Sequence, residues 1–320
     1  MGIMNFKVIG TGSAYPACSK TNDDLATFID TSDEWISTRT GIKSRHVCTT
    51  ESISDLAIAA GKAALENANI EASELDYVIC STLRGDYITP SLACVVQKAI
   101  GAKCPAFDLN AACSGFLYAL DCAAGYFARG RAKKVLIVAA EVMSKMVNWQ
   151  DRATCVLFGD GAGAVVLGEG DGLLSIKLSA DGNTDYLRIP HVSGNSPFSD
   201  AVHEDSFLHM QGQDVYKFAV TAMARDLAEV IEEAGLKQGD VDFVLPHQAN
   251  MRIIDSAKKK LKIAPEKYYT NIETCGNTSC AGVAMLLDEL NRKNLFKPGD
   301  ILALAAFGAG LTTGACVIRW

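Results

Sequence analysis

The chain contains a diverged copy of itself, and one offset in residue number relates the two copies. Residues 68–79 (ANIEASELDYVI) match residues 234–245 (AGLKQGDVDFVL) at their apolar positions. The same offset places residues 135–140 (VLIVAA) beside residues 301–306 (ILALAA). Two distant segments that obey one offset, with helix, loop and strand in the same order, indicate a duplication. The period is too long for a solenoid, so the sequence predicts two similar α/β halves.

The ends of the first repeated helix can be read from its residues. Ser52 followed by Asp55 resembles a capping box, which predicts a helix from there to about Ala68. Asn69 tolerates the left-handed conformation that often ends a helix. We expect the copy of this helix over about 215–234, where apolar residues recur on one face.

Apolar runs without polar alternation predict central strands that helices cover on both faces. Residues 135–140 and 301–306 are such runs, and residues 75–80 and 241–245 are expected to form buried strands as well. We expect one half over residues 1–170 and a second over 171–320, each with helices packed on a sheet. Residues 181–205, rich in Gly, Ser, Asn, Asp and Pro, are the expected linker or excursion.

Composition excludes several classes of protein. With 320 residues and 49% hydrophobic content the chain can bury a large core, yet no apolar run spans a bilayer and the N-terminus lacks signal-peptide features. The net charge of −7 argues against nucleic-acid binding. Eleven cysteines, an odd number without a C-x-x-C pair, indicate a reducing compartment, so we expect a cytoplasmic protein that binds neither membrane nor nucleic acid.

One cysteine differs from the others in its surroundings. Cys113 lies in NAACSGF, between a short apolar segment and a predicted helix. A sharp strand-to-helix turn among small residues exposes a side chain to a cleft, and a helix N-terminus favours the thiolate. We expect Cys113 to be a nucleophile, with a buried structural cysteine as the alternative.

Two polar residues of the second half are expected to face the same cleft. His247 follows the apolar strand FVLP, in the loop that opens a helix, where α/β proteins expose catalytic groups; a structural histidine is the alternative. Asn277 lies two residues before Ser279, which the offset pairs with Cys113. Asn277 therefore belongs to the second copy of the nucleophile turn.

Two glycine-rich stretches, residues 158–163 and 307–314, lack the lysine of a phosphate loop and are followed by predicted strands. We expect tight turns whose backbone approaches a ligand. The second turn is expected to supply an amide N–H to an oxyanion.

Six motifs, in this order along the chain, closely resemble those of the β-ketoacyl-acyl-carrier-protein synthase III family: residues 30–36 (DTSDEWI), 39–42 (RTGI), 111–116 (AACSGF), 246–250 (PHQAN), 276–279 (GNTS) and 307–310 (FGAG). The resemblance covers essentially the whole chain. It implies the thiolase fold, a duplicated αβαβα sandwich, and a homodimer. It also implies the initiating condensation of fatty-acid synthesis, in which a short acyl-CoA, acetyl-CoA by default, reacts with malonyl-acyl-carrier protein through an acyl-cysteine. No metal or redox cofactor is expected.

The resemblance assigns roles to residues by position. It implies a catalytic triad of Cys113, His247 and Asn277, and an oxyanion held by the backbone amides of Cys113 and Ala309. The implied coenzyme A contacts are Trp35, Arg39, Thr40, Arg152 and Asn250. The implied acyl-pocket residues are Thr89 and Phe158, with the segment 83–90 reaching a pocket across the dimer.

Basic residues follow His247 along a predicted helix. A solvated face is the default interpretation of such a run. Carrier proteins are acidic, however, so complementary charge would steer them to this entrance. The implied docking residues are Lys217, Arg252, Lys258 and Lys259.

Several alternatives share parts of this pattern. A starter-unit synthase or acyltransferase of secondary metabolism would carry the same triad with another acceptor. A thiolase would carry a second cysteine in the C-terminal glycine loop, where this chain has FGAG. A papain-like protease also uses Cys, His and Asn, but the duplication argues against one. A non-catalytic acyl-carrier-binding homologue would lose a triad member, and all three are present.

Overall fold

The computed structural model describes residues 5–191, 197–198 and 205–320. Its strands are β1 (Asn5–Ala14), β2 (Ser19–Thr21), β3 (Ser44–His46), β4 (Tyr77–Ser81), β5 (Ala106–Leu109), β6 (Lys134–Val142), β7 (Asp160–Gly170), β8 (Leu173–Asn183), β9 (Leu187–Arg188), β10 (His209–Met210), β11 (Phe243–Pro246), β12 (Ile301–Gly308) and β13 (Gly310–Arg319). Its helices are α1 (Asn22–Ala26), α2 (Asp33–Thr40), α3 (Ile53–Ala68), α4 (Leu92–Ile100), α5 (Gly115–Ala128), α6 (Gly212–Glu233), α7 (Met251–Lys258), α8 (Ile272–Cys275) and α9 (Ala281–Arg292).

Two sheets with corresponding strand order organise the chain. The first runs β1-β7-β6-β4-β5 and the second runs β8-β13-β12-β11. In each sheet two parallel strands, β4 with β6 and β11 with β12, are followed by antiparallel neighbours. The first sheet draws on residues 5–170 and the second on residues 173–319. The division into units 1–170 and 171–320 stays a prediction, because the two halves share one core.

That core is formed where α5 and α9 lie between the sheets. Helix α5 is apolar on most of its surface, and it packs in one cluster with α9 and with strands of both sheets. Helices α3 and α4 cover the outer face of the first sheet, and α6 and α7 cover that of the second. The layers therefore run helix, sheet, helix, sheet, helix.

The repeated helices begin and end much as their residues predict. Ser52 caps α3, forms the capping box with Asp55, and the helix ends at Ala68 with Asn69 in the left-handed conformation at φ 52°. Its copy, α6, begins at Gly212 rather than near Val215, so the helix starts one turn earlier than its apolar stripe suggests.

Two strands of the repeat, β4 and β11, begin later than expected because an aspartate closes the preceding loop. Strand β4 begins at Tyr77, and the carboxylate of Asp76 accepts the backbone N–H groups of Lys133 and Lys134 at 2.7 and 2.9 Å. In the second copy the carboxylate of Asp242 accepts the N–H of Ile301 at 2.9 Å. These matching contacts join neighbouring strands in both halves.

The expected linker is partly built into the second sheet. Residues up to Asn183 belong to β8, which pairs with β13, so the excursion begins after residue 183 rather than at 181. Residues 192–196 and 199–204 of the expected linker lie outside the described residues.

The two halves differ most in one connection. Between β12 and β13 a single residue, Ala309, makes the turn, whereas residues 143–159 separate the equivalent strands β6 and β7. We call residues 143–159 the long connector. Its side chains Met146, Val156 and Phe158 pack in a separate apolar cluster with α1, α2 and α8. The long connector covers one side of the cavity described below.

The packing of β7 against α9 can be tested with a pair of glycine substitutions. In Gly163→Ala the new Cβ would lie 2.5 Å from the backbone nitrogen of Met285 and 2.6 Å from Cβ of Ala284. We expect this overpacking to lower the free energy of unfolding by about 1–3 kcal/mol.

Gly125→Ala is the matched control, because Gly125 lies in α5 with no atom within 4 Å of the new Cβ. There we expect a gain of up to about 1 kcal/mol, since alanine loses less backbone entropy in a helix. Urea unfolding of both variants measures the difference. Equal effects would show that α9 does not pack against β7 as described.

Candidate active site

A cavity of about 1500 Å³ opens between the two halves. Cys113, His247 and Asn277, which come from three separate elements, all line it. The mostly apolar long connector covers one side and the turn around Ala309 lies on another. The structure therefore brings the three predicted catalytic residues to one cavity.

Cys113 lies in a tight turn between β5 and α5. The turn is a 3-10 helix over Ala112–Ser114, and Ala112 has a left-handed backbone at φ 47°. A Cβ on Gly308 would lie 2.7 Å from the backbone nitrogen of Cys113, so the end of β12 approaches the nucleophile only because residue 308 is glycine. The Cys113 thiol donates a hydrogen bond to the hydroxyl of Ser279 at 3.4 Å.

The electrostatics of the thiol differ from the sequence prediction. The N-terminus of α5 was expected to favour the thiolate. Desolvation dominates instead and raises the pKa of Cys113 to about 12, although the hydrogen bond to Ser279 acts in the opposite direction. The Cys113 thiol is therefore neutral before any substrate binds.

His247 follows β11 and is held by its backbone. Its N–H donates to the carbonyl of Ala305 at 2.7 Å, and its ring meets the ring of Phe307 edge-on at a centroid distance of 5.1 Å. Burial lowers the pKa of His247 to about 4, so the imidazole is neutral at pH 7. Within the described residues Nδ1 has no hydrogen-bond partner.

Gln248 fixes the loop that carries His247, a role that sequence reasoning missed. Its side-chain oxygen accepts the backbone N–H groups of Asn271 and Ile272 at 2.7 and 2.8 Å. Its amide nitrogen donates to Asn271 Oδ1 at 2.7 Å. A buried glutamine beside a candidate histidine was the available signal.

Asn277 is joined to the long connector. Its N–H donates to the carbonyl of Leu157 at 2.8 Å, and its carbonyl accepts the N–H of Gly159 at 3.0 Å. The side-chain oxygen accepts the N–H of Ser279 at 2.9 Å. This leaves the side-chain NH₂ of Asn277 as the donor that can serve a substrate oxygen.

The turn at Ala309 is tied to the nucleophile turn. The hydroxyl of Thr312 contacts the carbonyls of Ala309 at 3.0 Å and of Ala111 at 2.9 Å. Ser114 in turn donates to the carbonyl of Thr312 at 3.2 Å. These contacts place the two predicted oxyanion amides, of Cys113 and Ala309, on adjoining turns.

Residues expected to contact coenzyme A gather at the cavity mouth. The guanidinium carbons of Arg39 and Arg152 lie 4.7 and 5.1 Å from the ring centroid of Trp35. Trp35, Arg39, Thr40 and Asn250 line the cavity. Thr40 is buried and Asn250 caps α7, so both also have structural contacts.

The two expected acyl-pocket residues have different positions. Phe158 lines the cavity and is buried. Thr89 is exposed and is not part of the cavity lining in the described chain. Tyr87 and Ile88, beside it, are also exposed and do line the cavity mouth. A contribution of Thr89 to an acyl pocket requires a second copy and stays a prediction.

The expected docking cations do not share one environment. Lys217 and Arg252 line the cavity, and Lys259 is exposed. Lys258 is drawn onto the protein surface, where its ammonium group lies 3.7 Å from Asp255 and 5.2 Å from the ring centroid of Tyr268. Lys258 is therefore less available to a partner than the other three.

A buried carboxyl group near the nucleophile also escaped the sequence reasoning. Glu141 lies in β6 and is fully buried, and its Oε1 accepts the N–H of Leu83 at 3.1 Å. Burial raises the pKa of Glu141 to about 8. A glutamate that follows the apolar run 135–140 was the signal.

The described residues contain no group of three His, Cys, Asp or Glu side chains arranged to hold a metal ion. Nor does any helix within those residues have the length and apolarity to cross a bilayer.

Family models and individual relatives match this chain to the same family. Residues 107–182 match the family model described as 3-oxoacyl-[acyl-carrier-protein] synthase III, and residues 231–320 match its C-terminal model. The β-ketoacyl-[acyl-carrier-protein] synthase III of Clostridium acetobutylicum is 46% identical over 98% of each chain. That of Caldanaerobacter subterraneus is 47% identical over 98% of this chain and 97% of its own.

Solved structures agree with the sequence relatives. The 3-oxoacyl-[acyl-carrier-protein] synthase III of Aquifex aeolicus has a TM-score of 0.91 and 43% identity, with 98% of this chain and all of its own covered. The priming β-ketosynthase of the R1128 polyketide pathway has a TM-score of 0.92 and 36% identity, with 98% and 96% covered. The predicted thiolase fold is confirmed.

The burial of His247 predicts a pH-dependent stability. Its pKa is about 4 in the fold against an ordinary value of 6.5, so the unfolded chain binds the proton more readily. The contribution of neutral His247 to the free energy of unfolding is fully present above pH 6.5 and is lost as the pH falls toward 4. Between pH 7 and 5 we expect wild type to lose about 2 kcal/mol more than His247→Asn. Urea unfolding at both pH values measures this difference, and equal losses would contradict a neutral buried imidazole.

Proposed function

The chain belongs to the 3-oxoacyl-[acyl-carrier-protein] synthase III family of condensing acyltransferases, and we propose that it catalyses the initiating condensation of fatty-acid synthesis. The substrates are a short acyl-CoA and malonyl-acyl-carrier protein. The products are 3-oxoacyl-carrier protein, CO₂ and CoA. The proposed residue roles rest on the observation that Cys113, His247 and Asn277 line the same cavity.

The first half-reaction stores the acyl group on Cys113. Its sulfur attacks the thioester carbonyl, the C–S bond to CoA breaks, and the thiol proton leaves with the CoA sulfur. The negative oxygen that forms meanwhile is held by the backbone N–H groups of Cys113 and Ala309. Gly308 permits this arrangement because its missing side chain lets the two turns approach.

The second half-reaction uses His247 and Asn277 as hydrogen-bond donors. Loss of CO₂ from the malonyl group leaves an enolate whose charge lies on the thioester oxygen. The neutral imidazole has one N–H, and because its Nδ1 has no partner among the described residues, the Nε2–H tautomer can face the cavity. Together with the NH₂ of Asn277 it supplies two donors to that oxygen. The enolate carbon then attacks the acyl carbonyl, the C–S bond to Cys113 breaks, and the released thiolate takes a proton from water.

The mouth of the cavity suits an adenine nucleotide on a flexible arm. Trp35 offers an aromatic face flanked by the guanidinium groups of Arg39 and Arg152, which can meet phosphate charge. Thr40 and Asn250 belong to the same lining. We propose that these five residues bind coenzyme A.

A second copy of the chain and an acidic carrier protein are the proposed partners. Tyr87 and Ile88 are 59% and 84% exposed, and burial against a second copy would cover them and direct Thr89 into the partner's acyl pocket. Lys217, Arg252 and Lys259 would receive the carrier protein, with Lys258 in a lesser role. Eleven free cysteines fit a cytoplasmic setting.

A priming synthase of a polyketide pathway is the second candidate. The R1128 enzyme matches this chain in shape as closely as the fatty-acid enzymes do. The identities of 46% and 47%, over nearly the whole chain, to relatives named β-ketoacyl-[acyl-carrier-protein] synthase III favour the first candidate. Acetyl-CoA is the proposed primer.

The roles of the three site residues can be separated by following each half-reaction. Incubation with a panel of acyl-CoAs and intact-protein mass spectrometry should show one acyl group, placed on Cys113 by peptide mapping and missing in Cys113→Ser. His247→Ala and Asn277→Ala should each slow release of labelled CO₂ from malonyl-carrier protein on the order of 10²-fold, since each loses an enolate donor. Both should still acylate Cys113.

Two outcomes would contradict this assignment. Stable acylation of another cysteine, with Cys113 unmodified, would remove the proposed nucleophile. Wild-type CO₂ release by both alanine variants, together with failed acylation, would place His247 and Asn277 in a protease-like relay that activates the thiol.

Docking of the carrier protein is tested by charge reversal. Arg252→Glu combined with Lys259→Glu should weaken use of malonyl-carrier protein much more than acylation by small acyl-CoA, and the difference should shrink as salt screens it. Lys297→Glu is the matched control, an exposed lysine outside the cavity lining. Equal losses with both substrates, or an equal effect of the control, would count against docking at this face.

A further inference from the structure

Glu141 lies behind the nucleophile, and the condensation described above gives it no role. Three contacts surround its Oε1: the backbone N–H of Leu83 at 3.1 Å, the hydroxyl of Ser279 at 3.4 Å and the thiol of Cys280 at 3.2 Å. Within the described residues its Oε2 has no partner, and no ion pair joins Glu141 to a lysine or arginine. A fully buried carboxyl group without a cation needs another explanation.

The repeat shows that the scaffold does not require a carboxyl group here. The offset that relates Cys113 to Ser279 also relates Glu141 in β6 to Phe307 in β12. Phe307 serves its own half through packing against His247. The strand therefore accepts an apolar side chain at this position. The carboxyl group of Glu141 is explained by its own neighbours rather than by the shared scaffold.

Ser279 connects Glu141 to the nucleophile. Its hydroxyl lies 3.4 Å from the sulfur of Cys113 and 3.4 Å from Oε1 of Glu141. A hydroxyl has one proton and can donate to only one of these neighbours. If it donates to an ionised Glu141, it can only accept from Cys113, which suits the thiol. If Glu141 carries a proton and donates to this hydroxyl instead of competing for its hydrogen, the hydroxyl can donate to a Cys113 thiolate.

We propose that Glu141 is a positioning residue that carries a proton and, through Ser279, turns a hydroxyl hydrogen toward the sulfur of Cys113 as the thiolate forms. This proposal rests on the role of Cys113 proposed above. Glu141 touches no reacting atom. It sets the direction of the hydrogen bonds in the row that runs from Glu141 through Ser279 to Cys113. The thiol proton of Cys113 still leaves with the CoA sulfur.

The surroundings of Glu141 favour its protonated form. The ionisable groups that face it are the thiols of Cys113 and Cys280 and the carboxyl of Asp160, none of which supplies positive charge. Burial raises the pKa of Glu141 to about 8, so most molecules carry this proton at pH 7. An ionised Glu141 also opposes the thiolate directly, because it raises the pKa of Cys113.

Alkylation of Cys113 by iodoacetamide tests the row without any natural substrate. For wild type, the logarithm of the alkylation rate should rise with pH and then bend to a shallower slope near pH 8. There Glu141 ionises and the hydroxyl hydrogen of Ser279 turns back toward its carboxylate. Glu141→Gln keeps a neutral donor, so its rate should stay within about threefold of wild type at pH 7 and rise without the bend. Ser279→Ala loses the donor to the thiolate, and its rate at pH 7 should fall on the order of tenfold.

Cys280→Ala is the matched control, because it removes another contact of Glu141 and leaves Ser279 in place. It should retain the wild-type bend. The proposal is overturned if Glu141→Gln is as slow as Ser279→Ala, if Glu141→Gln keeps the bend, or if Cys280→Ala removes it.

A stability titration guards against variants that fold poorly. The pKa of Glu141 is higher in the fold than its ordinary value of 4.5. The contribution of protonated Glu141 to the free energy of unfolding is therefore fully present below pH 4.5 and is lost as the pH rises through about 8. Urea unfolding should therefore show wild type losing stability relative to Glu141→Gln as the pH rises to 8, and equal curves would overturn the protonated state. Failure of acyl-CoA to acylate any form would instead reject the proposed function, since alkylation does not depend on it.

Discussion

The contact between two equivalent turns, at Cys113 and Ser279, is the point on which the site depends. The offset that runs through the sequence relates these two residues, and in the fold their side chains touch at 3.4 Å. The helices that follow, α5 and α9, begin at equivalent positions and lie together between the two sheets. The apolar contacts that hold the halves together therefore also fix the nucleophile, and neither half contains the site alone.

Desolvation gives this site its resting state. Burial moves the pKa of Cys113 to about 12, of Glu141 to about 8 and of His247 to about 4, so all three shifts favour the neutral form. No buried charge has to be compensated before substrate binds. The charges then develop on the reacting sulfur and on thioester oxygens. Backbone and side-chain donors lie around the positions that those atoms are proposed to take. They therefore stabilise charge only while the reaction proceeds.

The sequence predicted those features that rest on local chemistry or on the repeat. The capping box at Ser52, the central strands and the joint cavity of Cys113, His247 and Asn277 all follow from residue pattern and offset. The pKa of Cys113 did not follow, because desolvation depends on residues distant in sequence. The same holds for Glu141, whose partners come from the loop after β4 and the turn before α9. A start of α6 at Gly212 was also missed, since its first turn lies outside the apolar stripe.

The unequal connections between equivalent strands have an evolutionary consequence. After duplication both halves could bear substitutions, but between the equivalent strands only the first half has a long connector, residues 143–159, and this connector lines one side of the cavity. The nucleophile, the histidine and the asparagine come from other elements. Substitutions in the part of the long connector away from Leu157 and Gly159, which hold Asn277, can therefore reshape the cavity wall while the three proposed catalytic residues stay in place.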